Sequence, residues 1–369
     1  MINRERLVDS FLEYVQIDST SRDEMNFAEH IRAELESMGM EVTVDSAGDK
    51  IGGNTGNMIG KLKGNRSADP ILFSCHMDTV VPGIGIKPVV RDNTIYSDGT
   101  TVLGSDDKAG IAVVIEALRA LGENSIEHGT VEVVFSIAEE VGLMGSKNLD
   151  YSSIDSKMAF VLDSGGSPGE IIVSGPAQDK ISARVFGKAA HAGLAPENGI
   201  SAINVAAQAI SRMNLLRIDE NTTANIGSIN GGKATNIVTP EVEIKAEARS
   251  LCNDKLQKQS DHMVECFETA AKEHGAQVEV EVIRAYNAFS VDSDENIVKI
   301  ARKACENIGV DSFLKSSGGG SDTNVFNENG IKAVNLGIGM KKVHTLEEYI
   351  SIEDLENSAR LVLELIKTA

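Results

Sequence analysis

Four short apolar runs recur along the chain, at residues 71–75, 131–138, 158–162 and 333–336. Apolar runs that do not alternate with polar residues are typical of strands buried on both faces. Apolar positions at helical spacing occur before, between and after these runs, at residues 1–17, 111–121, 297–308 and 355–366. Because strands alternate with helices, the pattern predicts an α/β domain with a mostly parallel sheet.

The segment at 176–286 has a different pattern, in which apolar and polar residues alternate along several stretches. Such alternation indicates strands with one solvated face. Helical stretches at 201–213 and 254–274 separate these strands and predict the order β-α-β-β-α-β. We therefore predict an α/β domain formed by residues 1–175 and 287–369, and an inserted α+β domain of the ferredoxin-like type at 176–286.

Composition and charge narrow the possible partners of the 369-residue chain. Thirty-five lysines and arginines stand against 55 aspartates and glutamates, a formal net charge of −20. This charge repels phosphate backbones and anionic lipids, so we expect neither a nucleic-acid nor a membrane partner. The first 17 residues lack the uninterrupted apolar core of a signal peptide, and the four cysteines form no Cys-x-x-Cys pair. We expect reduced thiols and a cytoplasmic protein.

Residues that can bind metal ions follow three of the apolar runs. His76 directly follows the first run, Glu139 and Glu140 directly follow the second, and Asp163 directly follows the third. Open α/β sheets bind ligands at the carboxyl ends of their strands, so these side chains are predicted to converge.

Two further candidates lie elsewhere in the chain. Asp106 precedes the helix predicted from residue 111, and His344 follows the last apolar run. Two histidines and three carboxylates suffice for two divalent ions if one carboxylate bridges them. Imidazole and carboxylate ligands suit zinc best, with manganese or cobalt as substitutes. The residues alone leave open which ligand belongs to which ion.

Four sequence blocks resemble the di-zinc peptidase and deacylase family, which includes peptidase T, carboxypeptidase G, aminoacylase and succinyl-diaminopimelate desuccinylase. The blocks lie at 75–80, 104–110, 139–146 and 191–193. The chain is most similar to the peptidase T branch, chiefly through residues 106–110. The resemblance implies that His76 and Asp163 are the terminal ligands of one ion, that Glu140 and His344 are those of the other, and that Asp106 bridges. It also implies a cis peptide directly after the bridging aspartate.

The resemblance further implies roles in catalysis and substrate binding. By this resemblance, Glu139 would be the general base that takes a proton from a metal-bridging water and returns it to the leaving amine, and Asp78 would orient His76. His191 polarises the scissile carbonyl, in many relatives from a dimer partner. Arg249 is a candidate for binding a substrate carboxylate, although it is equally compatible with a solvated surface position. Asn236 is another candidate substrate contact.

These observations predict a cytoplasmic hydrolase with two Zn²⁺ ions per chain that acts as an aminopeptidase on short peptides, in particular tripeptides. An N-acyl amino acid deacylase uses the same chemistry at the ions and is the alternative. A non-catalytic scaffold with the same fold is a second alternative, disfavoured because both the predicted ion cage and the base are intact. We expect a homodimer, with the inserted domain serving as lid and dimerisation domain.

Overall fold

The computed structural model describes all residues, Met1–Ala369, and divides into two compact units. Unit 1 comprises Met1–Ser174, Ser290–Ser317 and Ser321–Ala369, and unit 2 comprises Gly175–Phe289 and Gly318–Gly320. The strands are β1 (Glu41–Val44), β2 (Met58–Leu62), β3 (Ile71–His76), β4 (Pro88–Arg91), β5 (Thr94–Ser97), β6 (Val131–Ser136), β7 (Met158–Ser164), β8 (Glu170–Gly175), β9 (Ala177–Phe186), β10 (Leu216–Arg217), β11 (Thr222–Gly231), β12 (Glu241–Ser250), β13 (Gln277–Tyr286), β14 (Phe289–Ser290), β15 (Phe313–Ser316), β16 (Lys332–Gly337) and β17 (Tyr349–Ser351). The helices are α1 (Arg4–Gln16), α2 (Met25–Ser37), α3 (Ala47–Ile51), α4 (Ser105–Glu123), α5 (Met144–Lys147), α6 (Ala202–Arg212), α7 (Asn253–His274), α8 (Asn296–Ile308), α9 (Asp322–Glu328) and α10 (Ile352–Thr368).

A nine-stranded mixed sheet forms the centre of unit 1. Its order is β1-β2-β6-β3-β7-β16-β8-β14, with β15 also paired to β8. The four middle strands, β6, β3, β7 and β16, are parallel to one another, whereas β2 and β8 join them antiparallel. The carboxyl ends of the four middle strands therefore lie at one edge of the sheet.

Helix α4 anchors this edge because it is buried along most of its length. Its residues are apolar on nearly every side, which is typical of a helix enclosed in a core. The helix packs against β3 and β7 and against α1 and α10. The helix that begins at Ser105 is thus packed directly against two of the strands that end at this edge.

The predicted α/β class is confirmed, and the four apolar runs form β3, β6, β7 and β16. The sheet is less uniformly parallel than the pattern suggests, since β2 and β8 join the four middle strands in the antiparallel direction. A second, three-stranded sheet, β17-β5-β4, was not predicted. Its strands have three or four residues each, too few for a clear periodic pattern.

Unit 2 contains a five-stranded antiparallel sheet with the order β10-β11-β12-β9-β13. The predicted order β-α-β-β-α-β is present as β9, α6, β11, β12, α7 and β13, with the short β10 added. The alternating apolar residues of β9 lie on the inner face of the sheet and form one core with α6 and α7. The predicted insertion at 176–286 falls within this unit. Neither unit contains a helix with the length and apolar character that crossing a bilayer requires.

Candidate metal centre

Three parallel strands deliver polar side chains to the same edge of the unit 1 sheet. His76 is the last residue of β3, Asp163 lies near the end of β7, and Glu139 and Glu140 follow β6. Asp106 lies in the first turn of α4, and the peptide bond that follows it is cis, as the resemblance implied. His344 lies between β16 and β17, with a left-handed φ of 63°. The fold therefore assembles these residues from distant parts of the chain.

Asp106 lies between the two histidines. Its Oδ1 is 3.0 Å from Nε2 of His76, and its Oδ2 is 3.2 Å from Nε2 of His344. Each histidine has a second carboxylate beside it, since Glu140 Oε1 lies 2.8 Å from His344 Nε2 and Asp163 Oδ1 lies 4.0 Å from His76 Nε2. The arrangement has two halves that share one carboxylate, which is the donor geometry expected for a pair of bridged divalent ions.

Negative charge exceeds positive charge at this centre. Burial raises the pKa of the Asp163 carboxyl well above its usual value, and the nearby Asp106 and Glu139 raise it further. Burial likewise raises the pKa of Glu139, with Asp322 and Glu140 adding to the shift against the opposing effect of His76. Divalent cations neutralise clustered carboxylates of this kind, so the charge balance fits a metal centre.

The pKa values of both imidazoles are raised by carboxylates, and Asp106 is the carboxylate that they share. Hydrogen bonds to Asp106 and Glu140 raise the pKa of His344 to about 10. Burial lowers the pKa of His76, but its contacts with Asp106 and Asp78 outweigh that effect, and the net shift is upward. For Asp106, burial favours the neutral form, yet the hydrogen bonds to His344 and His76 lower its pKa overall. Each imidazole therefore lies beside carboxylates, which are also ligands for divalent cations.

Asp78 holds the turn that carries Glu139 and Glu140. Its fully buried carboxylate accepts hydrogen bonds from the backbone N–H groups of Glu139 (2.9 Å) and Glu140 (3.2 Å) and from the Ser21 hydroxyl (2.6 Å). The backbone carbonyl of Asp78 lies 2.9 Å from Nδ1 of His76, nearer than its carboxylate at 3.4 Å. Asp78 therefore contacts the His76 imidazole with its main chain as well as with its side chain.

Two buried glutamates that sequence reasoning missed also contact the turns of this centre. Glu24 accepts a hydrogen bond from the backbone N–H of Ala138 at 2.9 Å, directly before Glu139. Glu348 accepts hydrogen bonds from the turn that ends at Asp106. Both glutamates lie in strongly charged stretches that are typical of solvated surface, so the sequence carries no signal that distinguishes them.

The three predicted substrate-binding residues lie in unit 2. The exposed His191 accepts hydrogen bonds at Nδ1 from the following turn, and a β-bridge joins it to Ile237, the residue after Asn236. Arg249 lies at the end of β12, where it pairs with Glu247 and donates to the Gly318 carbonyl oxygen at 3.3 Å. His191 and Asn236 therefore lie on neighbouring segments of unit 2. The Arg249 guanidinium already has hydrogen-bond acceptors within the protein, namely Glu247 and Gly318.

The chain belongs to the peptidase family M20/M25/M40, whose sequence profile matches residues 72–368. This assignment confirms the resemblance to a peptidase family. An aminopeptidase PepT from Bacillus cereus superposes with a TM-score of 0.94 at 47% identity, covering 100% of this chain and 99% of that one. A tripeptidase from Staphylococcus aureus superposes with a TM-score of 0.98 at 42% identity, covering 100% and 98%. A Bacillus subtilis protein named uncharacterized protein YqjE is 47% identical over 369 residues, all of both chains.

Proposed function

We propose that this protein is a zinc-dependent aminopeptidase that removes N-terminal residues from short peptides, in particular tripeptides. The observation that carries the proposal is the position of Asp106 between two histidines, each with a further carboxylate beside it. The aminopeptidase and the tripeptidase that the chain resembles over its whole length support the choice of substrate.

Five residues would hold two divalent ions. His76 and Asp163 would bind at one position, Glu140 and His344 at the other, and Asp106 at both. The set contains imidazole and carboxylate donors and no thiolate, which suits Zn²⁺, with Mn²⁺ or Co²⁺ as substitutes. When bound, such ions supply Lewis-acid chemistry, which acidifies water and polarises a carbonyl group.

The remaining residues move the proton and bind the peptide. Glu139 takes a proton from the attacking water and gives it to the leaving amine, for which a buried carboxyl with a raised pKa is suited. Asp78 accepts a hydrogen bond from the backbone N–H of Glu139 and so fixes the orientation of that residue. His191 donates a hydrogen bond to the scissile carbonyl oxygen, and Arg249 and Asn236 bind carboxylate or carbonyl groups of the peptide.

The proposal also assigns a role to each of the two units and predicts a homodimer. Unit 1 carries the ion ligands and the base, and unit 2 serves as lid and as the contact surface of a homodimer. Light scattering that gives one chain's mass at micromolar concentration contradicts the dimer and restricts His191 to its own chain. The four cysteines are free, which fits a reducing compartment and a cytoplasmic location.

Product analysis by mass spectrometry tests the function. The zinc-replete protein is incubated with free-amino tripeptides, with the same tripeptides acetylated at the N-terminus, with dipeptides and with N-acyl amino acids. The Glu139→Gln variant is the blank. We expect release of the N-terminal residue from the free tripeptides and little cleavage of their acetylated counterparts.

Two other outcomes contradict the proposal in different ways. Cleavage of only the acylated compounds retains the hydrolytic mechanism and makes the protein a deacylase. No cleavage, together with less than one bound ion per chain after purification without chelator, indicates a non-catalytic scaffold.

A further inference from the structure

Glu348 is a buried carboxylate that binds four consecutive residues of one turn. Its side chain is 1% exposed. Oε2 accepts hydrogen bonds from the backbone N–H groups of Leu103 (2.7 Å) and Gly104 (2.9 Å). Oε1 accepts them from the Ser105 hydroxyl (2.5 Å) and from the backbone N–H of Asp106 (3.2 Å). Both carboxylate oxygens are therefore used by donors of the turn that presents Asp106.

The backbone of this turn has a conformation that presents its N–H groups to Glu348. Gly104 has a left-handed φ of 71°, and a side chain there would lie 3.1 Å from Thr79 and 3.3 Å from Ile86. The turn directs successive N–H groups toward one point, an arrangement that binds anions. A buried carboxylate at that point satisfies donors that would otherwise lack acceptors.

Glu348 also belongs to the segment that carries His344. Reciprocal backbone hydrogen bonds of 2.9 and 3.0 Å between Lys341 and Tyr349 close a loop around His344, and the backbone N–H of Glu348 donates to the Thr345 carbonyl oxygen at 3.2 Å. One loop thus holds His344 directly and holds Asp106 through Glu348. These are the two residues whose side chains lie 3.2 Å apart at the candidate metal centre.

We infer that Glu348 is a positioning residue that fixes the orientation of Asp106 and thereby sets the affinity of both ion positions together. The inference rests on the proposed function, because it requires Asp106 to be the shared ligand. Glu348 does not act as a ligand itself, since both of its oxygens accept hydrogen bonds from the turn. Its effect reaches the ions through the Asp106 main chain.

The Glu348→Gln variant isolates this effect. The amide oxygen can take the position of Oε2 and accept from Leu103 and Gly104, while the amide NH₂ donates to Ser105 Oγ. The backbone N–H of Asp106 then lacks its acceptor. Loss of a partner outside the ligand set commonly weakens metal binding about 10- to 100-fold. We expect a loss of that size at both ion positions.

Zinc competition with a chromophoric chelator measures the two affinities, and the visible absorption spectrum of the Co²⁺ form reports ligand geometry independently of turnover. We expect Glu348→Gln to weaken both positions and to change the Co²⁺ spectrum. Glu347→Gln is the matched control, because Glu347 is adjacent, 73% exposed and paired with Lys342 on the surface. It should bind zinc like the wild type.

The Asp106→Asn variant separates failure of this inference from failure of the proposed function. If Asp106→Asn binds two zinc ions as tightly as the wild type, Asp106 is not a shared ligand and the proposed function is wrong. Suppose instead that Asp106→Asn loses zinc affinity at both positions. If Glu348→Gln then binds zinc like the wild type, or if Glu348→Gln loses affinity at one position alone, only the inference is overturned.

A second variant applies if Glu348→Gln does not fold. Ser105→Ala removes one of the two donors to Oε1 and leaves the carboxylate in place. We then expect both affinities to fall in parallel, by about threefold or more, as the loss of one net hydrogen bond predicts. Wild-type affinity at either position in folded Ser105→Ala overturns the inference.

Discussion

Replacing Asp78 by Asn changes one oxygen of a fully buried carboxylate to an NH₂ group. If the remaining oxygen takes the place of Oδ1, the N–H of Glu139 keeps its acceptor and the N–H of Glu140 faces the new NH₂ group. If it takes the place of Oδ2, Glu140 and Ser21 keep their acceptor and Glu139 loses it. In both orientations one backbone N–H of the turn is left without an acceptor.

The expected magnitude follows from that single unsatisfied donor. Leaving one buried donor unpaired costs about 1–3 kcal/mol. Because the turn carries both the proposed base and a proposed ligand, the cost applies to the arrangement that reacts. We therefore expect Asp78→Asn to lower kcat/KM on a tripeptide by roughly 5- to 150-fold.

The matched control is Ser21→Ala, which removes one donor to Asp78 and leaves the carboxylate and both backbone contacts intact. The loss of this one hydrogen bond should cost about 1 kcal/mol, which lowers kcat/KM by roughly fivefold. Kinetics are measured on zinc-replete protein whose melting temperature shows that it is folded. A folded, zinc-replete Asp78→Asn protein with kcat/KM within twofold of the wild type shows that the hydrogen bonds of Asp78 to this turn do not matter for turnover.

Three further predictions concern the base, one ion position and pH. Glu139→Gln should keep its zinc and lose about 10²- to 10⁴-fold in kcat, since proton transfer commonly contributes that much; a near-normal rate contradicts the assignment of the base. His344→Ala should lose one of two zinc ions per chain by elemental analysis, because His344 contacts Glu140 and Asp106, and unchanged stoichiometry removes it from the ligand set. Burial raises the pKa of Glu24 from 4.5 to about 7, against hydrogen bonds from backbone N–H groups that lower it. Folded protein therefore binds more protons than unfolded protein between these values, and the wild type loses stability as pH rises through them. Relative to the wild type, Glu24→Gln should gain about 3 kcal/mol of unfolding free energy between pH 4 and 8 in urea titrations, whereas a constant difference rules out this titration.

The sequence predicted the strands in which an apolar run ends beside a residue that can bind a metal ion. The apolar runs of β3 and β7 end at or just before His76 and Asp163, and the parallel arrangement of those strands brings both residues to one edge. The pairing of ligands was not available from spacing, because it depends on side-chain distances such as those at Asp106. The resemblance supplied the expected pairing, which stays a prediction, and the structure adds the distances of 3.0 and 3.2 Å from the Asp106 carboxylate to Nε2 of His76 and of His344.

Glu24 and Glu348 were missed for a different reason. Each has ordinary charged neighbours, and its burial results from packing against turns that are remote in sequence. Glu348 is separated from Leu103 by 245 residues, a distance across which no local pattern operates. The antiparallel flanks of the sheet and the short strands β4, β5 and β17 were likewise beyond the reach of periodicity, since strand pairing depends on tertiary contacts.

The hydrogen bonds of Glu348 have a consequence for local opening of the native protein. Leu103 and Gly104 directly precede α4, and their amide protons donate to a carboxylate from a distant segment of the chain. Their exchange with deuterated solvent requires that segment to detach, and detachment also withdraws His344. Ions that bind only the docked form suppress this opening by mass action. The exchange rates of these two amides, followed as zinc is added, therefore report how strongly ion binding closes the loop around His344.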